Sequence, residues 1–119
     1  MSISEFQDSI ENATDMEEMK EEIERTIDDN DIVIFMKGNQ MMPQCGYSAK
    51  AVEIMQMYAD EFETINILND RRIKEALKEV SDWPTSPQVF VDGELLGGSD
   101  ILAEMHENGE LEEKVEAVN

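Results

Sequence analysis

The chain has 119 residues, with 29 Asp and Glu against 9 Lys and Arg, for a formal net charge of −20. That length holds one compact domain, and 40% apolar residues are enough to fill its core, which sets wholesale disorder aside. A surface this negative repels nucleic acid and anionic lipid, because both are bound through Lys and Arg.

No apolar run approaches the roughly 18–20 residues that span a bilayer. The opening MSISEFQDSIENATD lacks the basic and apolar regions of a signal peptide, so a cytoplasmic protein is expected. The carboxylates are spread along the whole chain. They read either as the solvated faces of an ordinary acidic protein or as the coat that keeps a halophile's protein soluble in brine. Depletion of Lys and Arg favours the halophile.

In chain order, residues 1–13 are polar and weakly patterned and are expected to form a flexible N-terminal tail, leaving 14–119 as a single domain. Thr14 or Asp15 can cap a first helix carrying Met16, Met19, Ile23 and Ile27 at helical spacing. Ile32-Val33-Ile34-Phe35-Met36 is a short β-branched run, as in a strand buried on both faces. An irregular stretch follows from Lys37 to Gln44. A helix is predicted from Gly46 to about Ala59, a strand over Phe62 to Leu68, and a helix over Asp70 to Val80. Pro84 and Pro87 bar regular structure between them. Gln88 to Val91 is a strand, Asp92-Gly93 a hairpin turn, and Leu95-Leu96 the return strand. Helices from Ser99 or Asp100 and from Glu110 to about Val118 complete the chain. Strands separated by helices imply parallel pairing, and the hairpin adds an antiparallel pair. The fold class is therefore α/β: a thioredoxin-like mixed central sheet flanked by helices on both faces.

The one cysteine, Cys45, excludes any intramolecular disulfide. A lone Cys is often an inert buried hydrophobe. Cys45, however, lies at the first turn of a helix, where backbone N–H groups and the dipole stabilise a thiolate, and Lys37 can add positive charge. Such a thiolate is both a nucleophile and a soft metal ligand. Ser48 stands where a Cys-x-x-Cys motif would place its second thiol, so any resolving thiol must come from another molecule. One thiolate cannot hold an iron–sulfur cluster, but two chains with two small thiols supply four.

These residues fall in four ordered blocks: Phe35-Met36-Lys37-Gly38, Pro43-Gln44-Cys45-Gly46-Tyr47-Ser48, Trp83-Pro84-Thr85-Ser86-Pro87-Gln88 and Gly97-Gly98-Ser99-Asp100-Ile101. Over residues 15–115 the chain resembles a monothiol glutaredoxin of the CGFS type, here with CGYS. The resemblance implies binding of glutathione or a related γ-glutamyl thiol, and a [2Fe–2S] cluster shared in a homodimer. It also implies iron–sulfur recipients or BolA-like proteins as partners. Carried over, Cys45 is the cluster ligand and reactive thiolate, and Lys37 pairs with the glycyl carboxylate of glutathione. Thr85, ahead of a cis Pro87, offers its backbone to the cysteinyl part. Gly98, Ser99 and Asp100 hold the γ-glutamyl end, Trp83 and Tyr47 border the groove, and Lys74 stands where many members have Arg. Ser86 replaces the family's usual Ile or Phe.

The remaining residues read more plainly. The nine Met are mostly core residues, with Met41-Met42 exposed beside Cys45, and His106, late in an acidic helix, is expected to be solvated or to interact with the helix C-terminal dipole rather than to bind metal. Three functions are weighed. The first is an iron–sulfur carrier or scaffold, the second a glutathione-dependent thiol–disulfide oxidoreductase acting through Cys45. The third, a structural adaptor, is disfavoured by the assembled motifs, while Ser48 and the long loop favour the carrier. Lys37, Lys50 and Lys74 would make the thiol site a less negative island.

Overall fold

The structure, a computed structural model, describes Phe6 and residues 10–118. Its first full helix, α1 (Met16–Asp29), begins at Asp15, whose carboxylate accepts from the Glu18 N–H at 2.9 Å, while Glu18 reaches back to the Thr14 N–H at 2.9 Å. This reciprocal cap satisfies donors that a helix start leaves open. Strand β1 (Ile32–Met36) is buried along its whole length. Helix α2 (Gly46–Gln56), strand β2 (Glu63–Asn66) and helix α3 (Arg71–Ser81) follow. Strands β3 (Gln88–Val91) and β4 (Glu94–Gly97) are joined by Asp92-Gly93, both at positive φ as a tight hairpin turn requires. Helices α4 (Ser99–Asn108) and α5 (Glu110–Glu116) are divided at Gly109.

The four strands lie in the order β2-β1-β3-β4. β1 and β2 are parallel, as the intervening helix implies. β3, however, runs antiparallel to β1, with Gln88 opposite Phe35. The expectation that helix-separated strands pair parallel fails there. Residues 82–87, barred by two prolines from regular structure, let the chain turn back after α3, so β3 starts beside the end of β1. β4 closes with Gly97 opposite Val89. Four connections thereby meet at one end of the sheet: those leaving β1, β2 and β4 and the one entering β3.

Strand alternation divides the core between the two faces. Val33, Phe35, Ile65 and Phe90 pack under α1 and α3. Ile34, Met36, Val89 and Val91 pack under α2, α4 and α5. Phe35 and Phe90 meet edge to face with centroids 5.7 Å apart, a favoured aromatic geometry.

The expected flexible tail over 1–13 needs correction where the structure describes it. Phe6 and Ile10 are each 1% exposed, and both join Ala13 in the core under α1 and α3. The Arg72 guanidinium donates to the carbonyls of Ala13 at 2.8 Å and Ile10 at 3.1 Å while holding Asp70. Two apolar residues four apart among polar ones are too sparse a stripe to read as a buried face. Residues 1–5 and 7–9 of that expectation lie outside the described residues. Among the described residues no helix is long and apolar enough to cross a membrane.

Candidate functional site

The stretch between β1 and α2 is a closed loop. The Gln44 N–H donates to the Lys37 carbonyl at 2.9 Å, and Gly38 bridges to Pro43. Within it, the Asn39 side chain accepts from the N–H groups of Met41 and Met42, both at 2.9 Å. Gly38 has φ +90°, and a Cβ there would fall 2.4 Å from the Met42 carbonyl oxygen and 2.7 Å from the Gln44 nitrogen. Only glycine fits so close a return of backbone on backbone. From β2, Asn66 Oδ1 accepts from the N–H groups of Gly38 and Leu68, both at 3.0 Å. The loop's tip presents Met41, 89% exposed, and Met42, 70% exposed. No acidic residue lies between Asp31 and Glu53 in the chain.

Cys45 is the N-cap of α2 and is half-buried. As a thiol it makes no capping hydrogen bond, which leaves the open N–H groups of the first turn to stabilise the thiolate. The N–H groups of Ser48 and then Tyr47 hold its pKa below the ordinary thiol value. Partial burial opposes them, and the Lys37 charge and the Ser48 hydroxyl add smaller lowering effects. Ser48 is fully buried, and its Oγ accepts from the Lys37 N–H at 3.1 Å. It does more than vacate the second thiol position: it ties the end of β1 to the first turn of α2.

Of the residues expected on sequence grounds, Tyr47, Thr85, Pro87, Gly98, Ser99 and Asp100 line one groove of about 380 Å³, together with Trp83. The Ser86-Pro87 bond is cis. Ser86 and Ile101 complete the lining. A Cβ on Gly98 would lie 3.3 Å from the Pro87 carbonyl oxygen, so the two walls approach closely there. Ser99 is buried at the start of α4, and Asp100 is exposed beside it. Lys37 and Cys45 stand at the end of β1 and the head of α2, outside the groove's lining. Lys74 is exposed on α3 and lines no part of it. A larger hollow of about 440 Å³ lies against Asp31, Asp60, Glu61 and Glu63; it holds no nucleophile and none of the thiol-binding candidates.

Three structural roles escaped the sequence reading. Asn66 and Ser48 tie the loop down, and Gln88, 2% exposed, donates from Nε2 to the carbonyls of Trp83 at 2.9 Å and Thr85 at 3.0 Å. The signal available for Gln88 was an amide in an otherwise apolar strand. His106, expected to be solvated, is exposed but engages the Tyr58 hydroxyl through Nδ1. Among the described residues no group of three or more His, Cys, Asp or Glu is placed to hold a metal ion.

A mixed sheet with helices on both faces, a capping thiol after β1 and a cis proline before β3 define a protein of the thioredoxin-like class. The glutaredoxin family model matches residues 32–96, and the chain belongs to the glutaredoxin family. It is 48% identical over 99 residues to an uncharacterized monothiol glutaredoxin, ycf64-like, of Synechocystis sp., covering 83% of this chain and 92% of that one. It is 42% identical over 103 residues to monothiol glutaredoxin-5, mitochondrial, of Schizosaccharomyces pombe, covering 84% and 70%. Reduced apo GrxS14 from poplar superposes with a TM-score of 0.74 at 41% identity, covering 83% of this chain and 91% of that one.

Proposed function

We propose that this monothiol glutaredoxin binds a low-molecular-weight γ-glutamyl thiol in the groove and carries [2Fe–2S] clusters as cargo between proteins. The observation that carries the reading is Cys45 at the head of α2, its thiolate stabilised by the N–H groups of Ser48 and Tyr47, with a serine in place of a second thiol. The donor set fits a shared cluster: one soft, half-exposed thiolate per chain, completed by a second chain and two small thiols. In this reading Lys37 pairs with the small thiol's carboxylate, and Thr85 and Pro87 present the backbone that meets its cysteinyl part. Gly98, Ser99 and Asp100 take the γ-glutamyl end, where a helix N-terminus suits the carboxylate and Asp100 the ammonium. Tyr47 borders the groove. Lys74 contributes at most long-range charge. The loaded species is a homodimer that hands its cluster to iron–sulfur recipients or a BolA-like partner in a salt-rich cytoplasm.

Anaerobic reconstitution with ferrous iron, sulfide and glutathione tests this. Visible cluster absorption with a doubled mass, both lost in Cys45→Ala, is the expected result. Repeating it with γ-glutamylcysteine, which lacks the glycyl carboxylate, reads out the role of Lys37.

The lowered thiol pKa favours a second activity at the same residue. The Cys45 thiolate attacks the glutathione sulfur of a mixed disulfide, releasing the other thiol as thiolate. A free glutathione thiolate then attacks the Cys45 mixed disulfide, giving oxidised glutathione and regenerating Cys45. Rapid mixed-disulfide reduction without any cluster chromophore would make this the main activity.

A further inference from the structure

We infer that Gln88 is a positioning residue for the thiol groove: its buried side-chain amide clamps the carbonyls of Trp83 and Thr85 and so turns the Ser86 main-chain N–H towards the ligand. The inference rests on the reading that the groove takes a small thiol. Gln88 opens β3, an interior strand of the sheet, on the same face as Phe90, where the neighbouring inward positions are apolar. An amide is costly there unless its polar atoms are used. Both side-chain hydrogen bonds are made by Nε2, to two carbonyls of the groove wall, while Oε1 is buried with no hydrogen-bond partner among the described residues. The side chain is thus oriented to satisfy the wall rather than itself.

The clamp has a directional consequence. The Thr85–Ser86 peptide is trans, so its carbonyl and the following N–H point in opposite directions. Holding the Thr85 carbonyl inward on Gln88 turns the Ser86 N–H away from the interior, and Ser86 lines the groove. The other clamped peptide, Trp83–Pro84, has no N–H to offer. Of the two clamped peptides, only Thr85–Ser86 can therefore present a donor.

Glutathione binding by the full chain, measured calorimetrically for the wild type and for Gln88→Met, tests the inference. Methionine keeps the length and removes both donors. Binding is expected to weaken about tenfold, while Cys45 alkylation by iodoacetamide, which needs no groove, stays within about twofold. A stable Gln88→Met protein that binds glutathione like the wild type overturns the inference. Should that variant fail to fold, amide NMR of the wild type decides. On saturation with glutathione the Ser86 N–H is expected to shift most within 83–88, and an unmoved Ser86 resonance overturns the inference alone. A wild type that binds neither glutathione nor γ-glutamylcysteine overturns the underlying reading as well.

Discussion

The loop from Lys37 to Gln44 closes on its own backbone, Gln44 to Lys37 and Asn39 to Met41 and Met42, and takes two ties from outside, Asn66 and Ser48. The segment 82–87, across the site, depends on a side chain of the strand it feeds, Gln88. The two regions also touch different chemistry. The first leads into Cys45 and sets the position of Lys37; the second shapes the groove. A self-closed loop fixes a reactive group with little help from the core, whereas an irregular wall without its own ladder takes its order from the core beneath it. Damage to the loop should therefore appear in the thiol's reactivity, and damage to the wall in ligand affinity.

Gly38→Ala is the most severe break of the loop. The new Cβ would meet backbone atoms at 2.4 Å and 2.7 Å, at a φ of +90°, so neither contact can relax by a rotamer change. A loss of about 1–3 kcal/mol is expected from the strained backbone, with the clash adding to it. Urea unfolding reads the loss, and the pH profile of Cys45 alkylation should move with it. A Gly38→Ala protein of wild-type stability would mean that the loop is soft rather than closed.

Asn66→Ala comes next. It removes the acceptor shared by Gly38 and Leu68 and is expected to cost about 1 kcal/mol. The loop's internal bonds survive, so alkylation by iodoacetamide should change less than in Gly38→Ala. If the two variants altered alkylation equally, the loop would lean on β2 as heavily as 82–87 leans on Gln88.

How much of this was legible in the sequence depends on how far away each partner lies. The β-branched run of β1, the Asp92-Gly93 turn and the Asp15 cap are local features, and each element stands where its residues place it. Cys45 at the head of α2 was equally readable. Gly98, Ser99 and Asp100 came from motif resemblance, and the groove gathers them with Thr85 and Pro87. What stayed hidden depends on distant contacts. Asn66 finds Gly38 across 28 positions, and Arg72 finds the Ile10 and Ala13 carbonyls across about 60. The direction of β3 depends on how 82–87 returns the chain, which periodicity does not encode. Lys74 was placed by resemblance alone, and the groove forms without it.

Lys37→Gln addresses the thiol directly. Folding lowers the Cys45 pKa, so the thiolate's contribution to stability is complete above the unfolded thiol's pKa and is lost as pH falls through the folded one. Alkylation turns on as pH rises through that same folded pKa. Removing the Lys37 charge should move the alkylation midpoint upward, towards the ordinary thiol value. The groove wall stays intact, so glutathione affinity should fall only by the lost carboxylate pairing, and γ-glutamylcysteine affinity should hardly change.

Ser48→Ala should shift the thiol least, although Ser48 supplies the largest stabilising group. That group is its backbone N–H, which alanine keeps; only the weaker influence of the hydroxyl is removed. The alkylation midpoint should therefore rise by less than in Lys37→Gln. Stability should fall by about 1 kcal/mol, because the Lys37 N–H loses its acceptor at a partly buried site. Side-by-side pH profiles of the two variants check the order. A larger midpoint shift in Ser48→Ala would place the thiol's control in the hydroxyl rather than in the helix start, and position 48 would then tune Cys45 chiefly through its side chain.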